Sequence, residues 1–381
     1  VFWFWLFVGP ALVLAVLSLR GERTRARFVA ERLQTHEDAN LPSATVIVPI
    51  EGPEESLREN LAALIALDYP DYELIVAVRT AKAIPPAVLP SRVIVVVGGA
   101  GETGGSDRIK NLSAGVRVSR KRSQIFAFAA GGGRVSKNWL RALAAPLAAP
   151  EVAASTGYCW YTPEPPDFWS LIRSVWNAPV AGLLGPGNSP FVWTGAMAMR
   201  KETFFELHLT EAWRNARSED GILIRAIRKA HRAIAFAPGA MAAVTGRVSA
   251  REFLRFAQRQ MDLARVYLPR LWWSALIAHV FYCGAMVAAI TASLHGSRGA
   301  EWALVVQLGL GMLKGVNRAT LARAGLPDRE AWFKRHAWVH ALWVPLATWV
   351  WLWVLLTSAF SVALKWRGTR YGLPRADRLK A

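Results

Sequence analysis

The stretch ATVIVPIEGPEESLRENLAALIALDYPDYELIVAVR, residues 44–79, decides the fold. Its opening, ATVIVPI at 44–50, is a short apolar, β-branched run that reads as a strand. A helix is predicted around Glu55–Leu67, and LDYPDYE at 67–73 is turn chemistry. YELIVAVR at 72–79 is a second strand, RVIVVVG at 92–98 a third, and IFAFA at 125–129 a fourth, with a helix predicted around Ile109–Ser119. Strands alternating with helices predict an α/β domain with a mostly parallel sheet and helices on both faces.

The chain has 381 residues, 53% of them hydrophobic, with 18 Trp and a formal net charge of +19. A soluble domain that basic points to nucleic acid. The apolar runs point to a membrane instead, so no nucleic-acid partner is expected. Residues 1–19 carry no charge and are long enough to span a bilayer, as are 272–294 and 337–364. Trp residues at their ends fit interfacial anchoring. WALVVQLGLGML at 302–313 is shorter and either completes a span or is re-entrant. Arg20, Arg23, Arg25 and Arg27 follow the first run, where a signal peptide would carry its charge before it. By the positive-inside rule the next domain faces the cytoplasm. Val1 in place of Met leads us to expect further residues upstream. Cys159 and Cys283 lie far apart and form neither a disulfide framework nor a metal-thiolate spacing.

The expected organisation is a transmembrane helix at 1–20, a cytoplasmic α/β domain at 21–248 and an interfacial amphipathic helix at 249–271. A C-terminal membrane region follows at 272–364, with two long spans and one short or re-entrant segment, and then a basic tail at 365–381. SAREFLRFAQRQMDLARVYLPRLWW at 249–273 sets Phe253, Phe256 and Met261 against Arg251, Arg255 and Arg259, the pattern of a membrane-surface helix. RSEDGILIRAIRKAHRAIAFAP at 217–238 reads as a helix with Ser218 as its N-cap, then a short strand. Ala- and Arg-rich usage with short loops leans toward a bacterial inner membrane.

The ordered pieces VIVPIEG, ENLAALIALDYPDYELIVAV, RIKNLSAG, RVSKNWL, TGAMAMRKE and SEDGILIRAI resemble the ceramide glucosyltransferase-like membrane branch of the family 2 glycosyltransferases. The resemblance implies a GT-A-like domain that moves a sugar, with inversion, from a nucleotide-sugar (a UDP-sugar) to a lipid hydroxyl. It places Pro49 and Glu51 at the nucleotide-sugar and makes Asp220, beside Glu219, the general base. It also implies an acidic cluster after the second strand, where this chain has RTAKAI with Lys82. The Gln-x-x-Arg-Trp motif it expects is reduced to Arg259 in FAQRQ. Both cations are candidates for holding the diphosphate.

Divalent metal, Mg²⁺ or Mn²⁺, is usual in such proteins, on an acidic loop after the strand at 125–129. Here Ala130, Gly131 and Gly132 occupy those positions and supply no side-chain ligand, so no cofactor is expected. Two classes of function stay open. One is a metal-independent transferase; the other is a catalytically inactive relative that binds a nucleotide-sugar, a lipid or a partner enzyme. The plain alternative for Ser218, Glu219 and Asp220 is a well-capped helix start.

Overall fold

Burial along its entire length places β1 (Ala44–Ile50) at the heart of the molecule. The structure, a computed structural model, describes residues 2–34, 41–51, 56–80, 92–98, 106–214, 216, 218–361, 363–366 and 369–372. The further strands are β2 (Tyr72–Val78), β3 (Val93–Val97), β4 (Ile125–Ala129), β5 (Arg134–Val135), β6 (Val152–Thr156) and β7 (Cys159–Tyr161). After them come β8 (Ala196–Arg200), β9 (Ala233–Phe236), β10 (Ala242–Val244), β11 (Ala363–Trp366) and β12 (Thr369–Gly372).

The helices are α1 (Phe2–Gln34), α2 (Leu57–Ile65), α3 (Asp107–Val118), α4 (Trp139–Ala144), α5 (Phe168–Ala181), α6 (Lys201–Glu206) and α7 (Leu209–Trp213). They continue with α8 (Glu219–Lys229), α9 (Ala250–Tyr267), α10 (Pro269–Leu294), α11 (Arg298–Gly325), α12 (Glu330–His336), α13 (Val339–Leu342) and α14 (Val344–Ala359).

A seven-stranded sheet runs in the order β3, β2, β1, β4, β8, β6, β9. Four of its six neighbouring pairs are parallel, and β8 alone runs against its neighbours β4 and β6. This is the mostly parallel α/β sheet that the sequence predicts. A small second sheet, β5, β10 and β7, covers one end. Alternation along β1 builds a core on each face. Val46, Val48 and Ile50 join Leu61 and Leu64 of α2 and Trp139 of α4. Ile47 joins Ile75, Leu112 of α3 and Leu223 of α8. Pro49 is tolerated inside this strand because the β4 ladder stops at Ile47, two residues earlier, so its missing N–H breaks no bond on that side.

Among the described residues, length and composition allow two helices to cross a bilayer, Phe4–Gln34 within α1 and Pro269–Leu294; Val344–Ala359 is apolar but shorter. α1, α10 and α11 pack on one another, and α14 packs on α10. The apolar run at 302–313 lies within the 28-residue α11. The run at 337–364 is divided: Pro345 stands in the first turn of α14, which is 16 residues long and ends at Ala359. α1 continues past the apolar run as one helix of 33 residues. Its Val29 is part of the domain core, and Arg25 Nε donates to the Leu184 carbonyl at 2.7 Å. Glu22, almost fully buried, takes Arg25 at 2.6 Å and Arg318 of α11 at 3.2 Å. The apolar face of α9 is occupied by the protein itself, with Phe253 buried against Trp176 of α5. Residues 373–381 of the basic tail lie outside the described residues.

Gly115 lets α3 lie directly on β1, since a Cβ there would stand 2.5 Å from Ile47 Cγ2. An ordinary mid-helix Gly→Ala change stabilises by roughly 0.5–1 kcal/mol. Here Ile47 is fully buried and β-branched, so the collision wins. Gly115→Ala is expected to lower stability by about 1–2 kcal/mol, read as a lower midpoint in thermal unfolding of the purified full chain.

Candidate active site

The first turn of α8 carries the two acids singled out in the sequence. Ser218 caps that helix, its Oγ accepting from the Gly221 N–H at 3.2 Å. A Cβ on Gly221 would stand 2.5 Å from the Tyr267 ring, so glycine is what allows α9 to close over the start of α8. Glu219 and Asp220 thus sit where helix geometry leaves amide groups unpaired and the macrodipole favours negative charge.

Thr194, just before β8, joins both acids. Its backbone N–H donates to Asp220 Oδ1 at 2.8 Å and its hydroxyl to Glu219 Oε1 at 3.2 Å. Among the described residues, Asp220 draws its hydrogen bonds from Thr194 alone. Burial, with Glu219 beside it, pushes the Asp220 carboxyl up to about 7, although Thr194 and Arg108 pull it down. A carboxyl poised there can exchange a proton near neutral pH.

Arg108, at the start of α3, supplies the counter-charge. Its Nε donates to Glu219 Oε1 at 2.5 Å, and a second nitrogen lies 3.8 Å from Glu51 Oε1. Burial disfavours this cation, but Glu219 first, then Glu51 and Asp220, outweigh it and hold the guanidinium above its ordinary range. Glu51 follows directly on β1. The carbonyl of Ile50 before it is pinned by Nδ2 of the buried Asn111 at 3.0 Å. Arg259 reaches the same cluster from α9. Burial lowers it, and Glu219, Glu51 and Asp220 partly restore it against the repulsion of Arg108.

The loop after β4 is tied down by its backbone. Ala130 N–H donates to the Gly195 carbonyl at 2.8 Å, and the Gly131 carbonyl accepts from Asn60 Nδ2 at 2.8 Å. That bond to Gly195 puts the loop one residue from Thr194 and so beside the acids. The residues there do not fit a divalent ion. Such an ion needs several oxygen ligands, whereas Ala130, Gly131 and Gly132 offer no side-chain oxygen and Glu219 is committed to Arg108. Among the described residues, no group of three His, Cys, Asp or Glu is placed to hold a metal.

Of the residues singled out in the sequence, Glu51, Glu219, Asp220 and Arg259 come together. Pro49 is buried within β1, two residues before Glu51. Lys82 lies outside the described residues. Arg108, Thr194, Asn60 and Asn111 were not singled out. The available signals were an Asn on the buried face of each of two helices, and an Arg and a Thr that open RIKNLSAG and TGAMAMRKE. A cavity of about 270 Å³ lies elsewhere, near the C-terminal end of α3, lined by Val116, Arg117, Lys201, Phe205 and Trp213.

No curated protein matches the chain. Among solved structures, 173 chains match. One is a crystal structure of GalNAc-T7 with UDP, GalNAc and Mn²⁺, 16% identical, with the match covering 60% of this chain and 48% of that one at a TM-score of 0.43. The match thus spans about half the length of that protein, a likeness too distant to carry chemistry across. The model of one family, by contrast, matches residues 4–379, nearly the entire length. The chain belongs to glycosyl transferase family 21.

Proposed function

We propose that this transferase is membrane-bound and inverting, moving a sugar from a UDP-sugar to a lipid hydroxyl at the cytoplasmic face of a bacterial inner membrane. The observation that carries this reading is Asp220, held by Thr194 at the start of α8, with burial raising its carboxyl into the neutral range. Membership of the family supports the transferase chemistry. The apolar helices and the arginines after residue 19 support the membrane and its cytoplasmic face. The expected partition of the chain, from the helix at 1–20 to the basic tail at 365–381, belongs to this proposal too.

In the reaction, the acceptor oxygen attacks the anomeric carbon from the face opposite the leaving group. The new carbon–oxygen bond forms as the bond to the diphosphate breaks, and UDP departs with that electron pair. Asp220 takes the acceptor proton. No step runs through a metal. Arg259, and in the same reading Lys82, meets the charge growing on the diphosphate. The missing acids at 130–132 favour a second reading, a nucleotide-sugar-binding relative without transfer.

Transfer is the direct test. Membranes carrying the protein, given radiolabelled UDP-sugars and total lipid extract, should form labelled glycolipid with EDTA present. Asp220→Asn should cut the rate by roughly 10²–10⁴-fold. Transfer that stops in EDTA contradicts the metal-independent step, and UDP binding without transfer selects the second reading.

A pH dependence of stability follows with a definite sign. A carboxyl raised to about 7 in the folded chain and near 4 unfolded is proton-richer when folded, so its contribution to stability falls as pH rises between those values. Asp220→Asn removes that loss. Its stability relative to the parent should improve from pH 5 to pH 8 by on the order of 2 kcal/mol, read from unfolding midpoints in detergent.

A further inference from the structure

We propose that Arg108 is the positioning residue that decides which of the two neighbouring carboxyls becomes the base, by committing Glu219 and leaving Asp220 to meet the acceptor. The inference rests on the reading of Asp220 given above and adds a role to a residue outside that reading.

Glu219 and Asp220 are consecutive on one helix turn, the first buried and the second half-buried, and both lie against Thr194. Nothing in their spacing distinguishes them. The asymmetry is external. The Arg108 guanidinium sits 2.5 Å from Glu219 Oε1, its NH2 lies 3.5 Å from the Thr194 hydroxyl, and its third nitrogen faces Glu51. Glu219 Oε1 therefore receives two donors, one of them charged, and a charge-assisted bond of this kind fixes a carboxylate in both position and orientation. Asp220 meets Arg108 only through longer-range charge, and burial with Glu219 beside it keeps its carboxyl raised.

The groups facing Asp220 come from every element packed around it. They are Glu219 on α8, Arg108 on α3, Arg259 on α9, Tyr158 before β7 and Thr194 before β8, with Glu51 on the far side of Arg108. Arg108 and Arg259 are the cations of that set. Arg108 is hydrogen-bonded to the neighbouring acid, Glu219.

The test is the pH profile of transfer. In Arg108→Gln the acid limb, where Asp220 loses its proton, should move up by about one pH unit. Arg108→Lys, which keeps the charge without the fork, should bring the limb back to within about half a unit while the rate stays lowered. Glu219→Gln leaves the guanidinium facing Asp220 without the competing carboxylate, and its limb should move down by about one unit. This variant carries the test if Arg108→Gln does not fold. A limb that stays at the parent's pH in Arg108→Gln or in Glu219→Gln overturns the proposal and leaves Arg108 a packing residue.

Absence of transfer by the parent would defeat the proposed function and with it the base role; the part of this inference that stands apart from it, that Arg108 sets the charge balance between Glu219 and Asp220, is then read from unfolding midpoints. The midpoint lost in Arg108→Gln should be several degrees larger at pH 8 than at pH 5. An equal loss at both pH values overturns it.

Discussion

Two carboxyls side by side in a buried helix start need a cation, and Arg108 provides it at 2.5 Å from Glu219. Like charges about 4 Å apart at an effective dielectric near 20 repel by about 4 kcal/mol, a large fraction of a domain's stability. Elements from distant parts of the chain converge on this pair. β1 ends at Glu51, α3 begins with Arg108, and β8 is preceded by Thr194. α9 closes over Gly221 and brings Arg259. The helix N-terminus contributes in the same direction, since its dipole offsets part of the burial that pushes Asp220 upward. The result is a carboxyl held near neutrality by opposed forces rather than by any single neighbour.

Much of the sheet was legible from local pattern. β1, β2, β3 and β4 are short apolar runs between turn residues, and the helices between them are long enough to show themselves. The reversal of β8 was not legible, because TGAMAMR reads as a strand in either direction and only its pairing with Ile125–Ala129 fixes the sense. β5, β7 and β10, of two or three residues each, are too short to stand out from loop. The break at Pro345 was written in the chain, yet the apolar run around it outweighed one residue. At the site, Glu219 and Asp220 were visible through their motif. The Arg108–Glu219 contact joins residues 111 apart in sequence, and no local pattern reports such a contact.

The loop at 130–133 acquires a physical reading of its own. A Cβ on Gly133 would lie 3.2 Å from the Cβ of Ala242 in β10, and the loop's other polar contacts use backbone atoms. Small residues here let the end of β4 tuck beneath the approach to β8 and against the small sheet. Carboxylate side chains would have to leave that seat to reach any ligand. The cations nearest the buried acids stand instead on α3 and α9, as Arg108 and Arg259.

α1 is one unbroken helix, apolar in its first half and fastened to the α/β domain in its second by Arg25 and Val29, with Glu22 clasped to α11 at the junction. Mechanically it behaves as a mast rather than a tether. Helical backbone and the Glu22 ion pairs run straight through the seam where a flexible linker would otherwise stand.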